Sequence, residues 1–307
     1  MLSGQPDSDD KGTRALIPFI KMHGCGNDYV FLDCFSNPVP KDPSTLAVNI
    51  SHRNRGVGGD GLVLMMPPES SNSVARMRMF NSDGSEGSLC GNALRCMAMW
   101  LHQSGLAGPE FRIAMSDRLM PVRILHSDEK HRVAQVRIEV GPPIVQNPSA
   151  AEKAMFVRKV DLSNLLLPEL SHPPLFVSMG NPHTILFVRS LEALDFFTLG
   201  PAIECHPEFP SRTNVEFVEI QSAKSETSPR AKVRVWERGS GETMACGSGA
   251  CAVAVAGVAS GLLADSVPIQ IEMRGGNLVV IWDQFNSVFL EGPAEEAFRG
   301  FFPADIG

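Results

Sequence analysis

Cys90 and Cys246 occupy equivalent places in two similar segments, and their setting offers the clearest chemistry in the sequence. The segments read NSDGSEGSLCGNALRCMAMWLHQSGL, from Asn81 to Leu106, and ERGSGETMACGSGACAVAVAGVASGL, from Glu237 to Leu262. Each cysteine is followed by a glycine, Gly91 or Gly247, and preceded four residues earlier by a glutamate, Glu86 or Glu242. Each run closes a helix length later in Ser-Gly-Leu. A cysteine that opens a helix faces unpaired backbone N–H groups and the positive end of the helix dipole. That setting lowers a thiol pKa and brings the thiolate within reach near neutral pH. The glycine lets a ligand approach the backbone closely, and the same N–H groups can hold a carboxylate.

The two segments lie 156 residues apart, and a second pair agrees with them. Gly26-Asn27, in HGCGNDYVFLD, and Gly180-Asn181, in SMGNPHTILFV, lie 154 residues apart. Two pairs at nearly one offset point to a duplicated chain. A duplication implies a pseudo-twofold axis that sets two equivalent thiols on either side of one cleft. A carbon held between them loses its proton to one thiolate and regains one from the opposite thiol, which inverts a stereocentre. A carboxylate on that carbon would sit over two helix N-termini, where charge building on its oxygens is stabilised. This chemistry needs neither metal nor organic cofactor.

The elements that must hold such a site read as α+β. Strands are expected at Tyr29 to Leu32, Gly61 to Met66, Ala75 to Phe80, Val133 to Val140, Thr184 to Val188, Val215 to Ile220, Lys232 to Trp236 and Leu278 to Trp282. Helices open at the two Cys-Gly sites. In the first, Ala93, Leu94, Met97, Ala98, Trp100 and Leu101 recur at helical spacing. Gly105 and Gly261 mark the C-terminal stops. Strands outnumber helices, so a βαβ Rossmann pattern is not the natural reading. The boundary between halves falls near Gly141-Pro142-Pro143, with a matching Gly292-Pro293 near the end. These signals divide the chain into a disordered tail (1–16), an N-terminal domain (17–142 with 294–307) carrying Cys90, and a C-terminal domain (143–293) carrying Cys246.

A chain of 307 residues, with 43% hydrophobic and 20% charged residues, suits two globular domains. The net charge of −7 and the absence of Lys/Arg runs argue against nucleic acid as a partner. The N-terminus lacks the pattern of a signal or transit peptide. Thr243 to Ala264 is uncharged and nominally long enough to cross a bilayer, but its Ala, Gly, Ser and Cys content suits a buried, tightly packed helix. No membrane contact is therefore expected. An odd number of cysteines, 7, without a secretion signal fits a reducing cytoplasm. No Cys-x-x-Cys pair, P-loop or dinucleotide fingerprint is present.

Blander readings stand beside these. Cys25, Cys34, Cys96, Cys205 and Cys251 read as small buried hydrophobes. His183 is as much a core histidine as a proton-handling one. Glu237-Arg238 fits a surface ion pair. Asn27, Asn81, Asn92, Asn181 and Asn214 sit in turn-like contexts.

From about Phe19 onward the chain resembles the diaminopimelate epimerases. The resemblance is carried by HGCGNDY (His23 to Tyr29), NSDGSEGSLCGNALRC (Asn81 to Cys96), GNPH (Gly180 to His183), RTNVEF (Arg212 to Phe217) and ERGSGETMACGSGAC (Glu237 to Cys251), in one order and with sensible spacing. It implies two pseudo-symmetric domains, each a curved, mostly antiparallel sheet wrapped around a central helix, with the site between them. It implies a cofactor-independent isomerase that interconverts LL- and meso-2,6-diaminopimelate, in lysine and peptidoglycan precursor synthesis, with Cys90 and Cys246 as the acid/base pair and no metal. Gly91, Asn92, Gly247 and Ser248 would supply donors to the reacting end. His183 and Glu237 would hold the reacting ammonium or support proton transfer. Asn27, Asn81, Asn181, Asn214 and Arg238 would bind the substrate, most of them at its distal end. A homodimer is plausible from the resemblance alone. Gly61 stands where many members carry Gln, and Ala93 where Gly is usual.

Other functions fit parts of the same pattern. A related two-thiol racemase for proline, hydroxyproline or histidine would keep the mechanism and change the substrate. A phenazine-type isomerase would keep the fold without paired cysteines. A thiol redox or metal-binding protein would keep neither reaction.

Overall fold

A computed structural model of the chain describes residues 16–87, 90–116, 118–143, 157–221, 229–283 and 287–303. The tail expected over 1–16 lies, apart from Leu16, outside the described residues.

The Cys90 half contains β1 (Leu16–Gly24), β2 (Asn27–Asp33), α1 (Pro43–Ser51), β3 (Gly61–Met66), β4 (Ala75–Asn81), β5 (Glu86–Gly87), α2 (Gly91–Gln103), β6 (Glu110–Ala114), β7 (Leu119–Asp128) and β8 (Val133–Gly141). The Cys246 half contains β9 (Val157–Lys159), β10 (Leu175–Ser178), β11 (Pro182–Phe187), α3 (Phe196–Glu204), β12 (Asn214–Ile220), β13 (Arg230–Glu237), β14 (Gly241–Glu242), α4 (Gly247–Ala259), β15 (Ile269–Met273), β16 (Gly276–Trp282) and β17 (Val288–Pro303). Each strand expected from the sequence overlaps an observed strand. Both helices expected at the Cys-Gly sites are present, and they run to the same length of 13 residues.

The pairing repeats between the halves. β1 and β10 begin matching antiparallel hairpins with β2 and β11, and those strands run parallel to β3 and β12. β3 and β12 pair antiparallel with β4 and β13, and these run parallel to β6 and β15. β6–β7–β8 then match β15–β16–β17. This is a two-domain α+β fold, with mostly antiparallel sheets curved around α2 and α4.

One strand joins the halves. The first part of β17, Val288–Glu291, lies between β16 and β8, and its later part pairs with β1 as far as Pro303. The circuit β17–β1–β2–β3–β4–β6–β7–β8 therefore closes on itself and leaves no free edge within it. Gly292-Pro293 lies inside β17, which runs through it without a break.

The helices inside are buried on every side, and apart from Asn92 and Arg95 the buried residues of α2 are apolar. Every residue of α2 from Asn92 to Leu101 is buried, and so is nearly all of α4. α4 is made of Gly, Ala, Val, Ser and Cys, so the surrounding strands approach its backbone closely. At 13 residues it is a core helix, and among the described residues no helix is long and apolar enough to cross a membrane. Both helices belong to one continuous core, while separate apolar clusters lie beneath α1 and α3. Each inner helix stops as expected, since Gly105 and Gly261 take up left-handed φ values of 71° and 72°.

Three core cysteines make the fold sensitive to alkali. Burial pushes Cys34 up to about 11 and Cys96 and Cys251 up to about 12, from 9.0 in a free chain. Folding thus favours the protonated thiols, and that contribution is fully present below pH 9. It declines as pH rises through 9 to 12, where the unfolded chain ionises first. The melting temperature of the reduced protein is expected to fall progressively above pH 9. A thermal-melt series in which the Cys34→Ala/Cys96→Ala/Cys251→Ala variant declines as steeply as the parent would refute this cause.

Candidate active site

Two turns with the same chemistry bring the first asparagines in. Gly26 and Gly180 have φ of 78° and 99°, values that glycine reaches without strain. They end β1 and β10 so that Asn27 opens β2 and Asn181 stands just before β11. A duplicated ion pair shapes the approach to each cysteine. Arg78 Nε donates to Glu86 Oε1 at 2.8 Å, and Arg234 Nε donates to Glu242 Oε1 at 3.0 Å. These bonds pin the short strands β5 and β14 against β4 and β13. The two glutamates four residues before the cysteines are thus clamps.

Cys90 and Cys246 are the N-caps of α2 and α4. Their backbones are extended, with φ/ψ of −133°/111° and −121°/112°. Cys90 Sγ accepts the Ala93 N–H at 3.5 Å, and Cys246 Sγ accepts the Gly249 N–H at 3.4 Å. The helices start nose to nose. A Cβ built on Gly247 would stand 4.0 Å from Gly91 Cα and 3.0 Å from Leu290 Cδ2. Asn92 crosses the gap, since its Nδ2 reaches Asn27 Oδ1 at 3.0 Å and the Ala245 carbonyl at 3.5 Å.

A cleft of about 390 Å³ lies at this junction. Of the residues singled out in the sequence, Cys90, Cys246, Asn27, Asn81, Gly91, Asn92, Asn181, Glu237, Arg238, Gly247 and Ser248 line it. His183 and Asn214 stand just behind. His183 is fully buried, with Nδ1 2.7 Å from Glu216 Oε1 and Nε2 3.0 Å from Asn181 Oδ1. It reaches the cleft through Asn181, whose Nδ2 in turn donates to Ser248 Oγ at 3.2 Å. Asn214 accepts the Arg238 N–H at 2.9 Å and donates to the Pro182 carbonyl, so it ties two site-bearing loops together.

Other contributors escaped the sequence reading. Tyr29, Met79, Arg118, Met179 and Leu290 also line the cleft. Tyr29 lies 154 residues before His183, so the Gly-Asn offset alone pointed to it. Asp60 accepts from Asn27 Nδ2 at 2.6 Å, and Glu216, fully buried, carries His183. Cys205 is exposed and so departs from the buried reading given to it. Gly61 accepts no larger residue in this backbone, because a Cβ there would lie 2.1 Å from the Phe80 carbonyl oxygen.

The thiols also depart from expectation. Burial raises the Cys90 thiol above its usual range, partly offset by the Ala93 and Asn92 N–H groups and by Tyr29, while Glu237 adds to the rise. Cys246 is raised well above, first by burial and then by Glu237 and Glu216. The helix N-termini do favour thiolate, as expected, but desolvation outweighs them in the cleft. Burial likewise raises Glu237, whose Oε1 accepts the Thr243 hydroxyl at 2.5 Å. Glu237→Gln removes a negative charge that opposes ionisation of both cysteines. Both thiols are therefore expected to ionise at lower pH in this variant, read from thiolate ultraviolet absorbance against pH. A titration that stays in place or moves upward would contradict the assignment of Glu237 as the shared destabiliser.

The family model described as diaminopimelate epimerase matches residues 19–145 and 175–296. A diaminopimelate epimerase of Pelotomaculum thermopropionicum is 42% identical over 287 residues, covering 93% of this chain and 98% of that protein. One of Moorella thermoacetica is 39% identical over 298 residues, covering 94% and 99%. Among solved structures, a phenazine biosynthesis protein of the PhzF family from Bacillus anthracis superposes with a TM-score of 0.66 at 15% identity, covering 94% of this chain and 99% of that one. That last likeness concerns the fold alone.

Proposed function

The chain belongs to the diaminopimelate epimerase family and is an isomerase, and from that premise we propose that it interconverts LL- and meso-2,6-diaminopimelate by a two-base mechanism that uses Cys90 and Cys246 and no cofactor. The reaction would serve lysine and peptidoglycan precursor synthesis. The observation that carries the reading is the paired placement of the two cysteines, each capping an inward helix at the same cleft.

The paired thiols support a proton relay across one carbon. One sulfur as thiolate takes the Cα proton, and the electron pair of the C–H bond moves into the adjacent carboxylate to give an enediolate-like state. The opposite thiol then delivers its proton to the other face, and the stereocentre inverts. The reacting carboxylate sits over the first N–H groups of both helices, at Gly91, Asn92, Gly247 and Ser248, which have no intrahelical acceptors. Two convergent helix ends stabilise charge as it builds on the carboxylate oxygens. Glu237 in the cleft receives the ammonium, and the buried His183–Glu216 pair orients Asn181 beside it. Arg238, anchored by its backbone on Asn214 and by Nη1 on the Ser211 carbonyl at 3.1 Å, supplies a planar cation for the distal carboxylate. Asn27, Asn81 and Asn181 supply amide donors and acceptors along the cleft for the zwitterionic ends.

Proton NMR in D₂O under reducing conditions tests substrate and reaction together. Diaminopimelate is expected to lose its Cα–H signal while the meso isomer forms, and proline and histidine are expected to remain unlabelled. Exchange with proline or histidine instead would keep the mechanism and overturn the substrate. Cys90→Ala and Cys246→Ala are each expected to lower epimerisation by about 10³-fold or more, the scale of a lost acid/base group. Near-normal turnover in either variant would overturn the two-base reading. Arg238→Lys is expected to raise KM about tenfold, roughly 1.4 kcal/mol of binding, with a smaller change in kcat. Unchanged kinetics would remove Arg238 from the binding set.

A further inference from the structure

Asp60 lies in the glycine-rich run just before β3, on the side of Asn27 away from Cys90. Its backbone is tied at both ends, because its N–H donates to the Asp28 carbonyl at 2.7 Å and its carbonyl accepts the Ser82 N–H at 3.1 Å. Three donors converge on its carboxylate. Asn27 Nδ2 and the Asp28 N–H reach Oδ2 at 2.6 and 3.1 Å, and Arg53 Nη2 reaches Oδ1 at 2.9 Å. Arg53 also holds Asp28 at 2.8 Å, and Lys21 Nζ meets Asp28 from the other side at 2.6 Å. Burial and the Asp28 charge push the Asp60 pKa up, and the three donors oppose that rise.

These contacts fix which atoms Asn27 can present. An ionised carboxylate only accepts, so Asn27 must turn Nδ2 to Asp60 and Oδ1 to Cys90. The far end of the network is as one-sided. Arg95 Nη2 donates to Asn92 Oδ1 at 2.6 Å, and a guanidinium only donates, so Asn92 offers its Nδ2 to Asn27 Oδ1 at 3.0 Å. Neither amide can flip without setting donor against donor or acceptor against acceptor. A fixed carbonyl oxygen therefore stands 3.4 Å from Cys90 Sγ, and a sulfur beside it is favoured with its proton on.

The other half lacks this arrangement. Asn181, 154 positions after Asn27, meets His183 Nε2 at 3.0 Å and Ser248 Oγ at 3.2 Å. An imidazole and a hydroxyl can each donate or accept, so the Asn181 amide is not locked. Ser248 Oγ lies 3.5 Å from Cys246 Sγ and can turn its hydrogen toward it. The titratable groups facing Cys90 are Tyr29 on β2, Glu237 on β13, and Arg95 and Cys96 on α2. Those facing Cys246 are Glu237 and Glu216, the latter bonded to His183.

We propose that Asp60 is a positioning residue that acts through Asn27, locking the Asn27 carbonyl against Cys90 so that the Cys90 face of the site is set to hold its proton, while the Cys246 face carries no such lock. Cys90 then becomes a base only by breaking this bond. The inference rests on the two-thiol reading above, but its test uses no turnover.

The test is the pH dependence of iodoacetamide alkylation of the full-length reduced protein, with the peptides carrying Cys90 and Cys246 quantified separately by mass spectrometry. Asp60→Ala frees Asn27 to turn Nδ2 toward the sulfur, and the Cys90 midpoint is expected to fall by about one pH unit, a roughly tenfold gain in rate below the midpoint. Asp60→Asn removes the charge but keeps an oxygen for Asn27 Nδ2, and is expected to move the midpoint less than half as far. Asn27→Ala is expected to lower the Cys90 midpoint by itself, and adding Asp60→Ala to it to cause no further fall. The Cys246 midpoint is expected to stay in place throughout. A Cys90 midpoint that stays or rises in Asp60→Ala overturns the proposal. So does a shift as large in Asp60→Asn, which would assign the effect to charge, or an additive shift in the double variant, which would show that Asp60 does not act through Asn27. Should Asp60→Ala fail to fold, Asn27→Ala decides, since an unmoved or raised Cys90 midpoint there removes the carbonyl from its role. Loss of turnover in Cys90→Ala bears on the two-base reading, whereas these midpoints bear on Asp60.

Discussion

The abutment of two helix N-termini is the constraint on which the rest of the molecule depends. Gly91 and Gly247 meet where a side chain on either would press into Ile138 or Leu290. Their lack of a Cβ lets the ends of α2 and α4 converge, so that Cys90 and Cys246 border one small cleft. Asn92 closes the joint by reaching the Ala245 carbonyl across it. Two positive helix ends pointing at each other favour an anion between them, and the proposed substrate's carboxylate would be one.

Everything around that junction serves to hold two short helices inside curved sheets. β17 does most for the alignment, because one continuous strand pairs with β16 and β8 and then with β1. Strands are stiff over such a length, so the halves inherit a common frame, and the helices packed against them meet at a fixed place. The twin Arg78–Glu86 and Arg234–Glu242 pairs fix the turns that deliver the cysteines. The duplication is nevertheless unequal around the cleft. Tyr29 answers to His183, Asn81 to Glu237, Asn92 to Ser248 and Arg95 to Cys251. Apart from the Asn92/Ser248 exchange, each replaces a group of one charge or proton affinity with another. The backbone is therefore nearly symmetric while the side chains around the cleft are not.

Desolvation and the helix ends compete over the two sulfurs. In water a helix N-terminus would win and lower the thiol pKa. In a cleft this small, loss of hydration dominates, and both thiols are raised. A carboxylate with its ammonium, bound as proposed, would change that balance from inside the site. Ionisation of the cysteines is thereby coupled to what occupies the cleft.

By itself, the sequence determined the duplication, the α+β class and the two helices with their cysteine caps, because these follow from local spacing, capping and turn chemistry. The strands that were legible, such as Val133–Val140 and Val215–Ile220, are those with strong β-branched or alternating patterns. β17 was not, because Gly292-Pro293 reads as a turn and only pairing on both sides keeps it extended. α1 was also overlooked, although Asp42 accepts the Thr45 N–H at 3.0 Å and Pro43 opens the first turn, because its nine residues give too little periodicity. Only the tertiary structure decided which cysteines face the cleft, that His183 and Asn214 stand behind it, and that burial outweighs the helix dipoles. Those outcomes depend on which groups from distant segments exclude water from a shared space, and no local pattern encodes that.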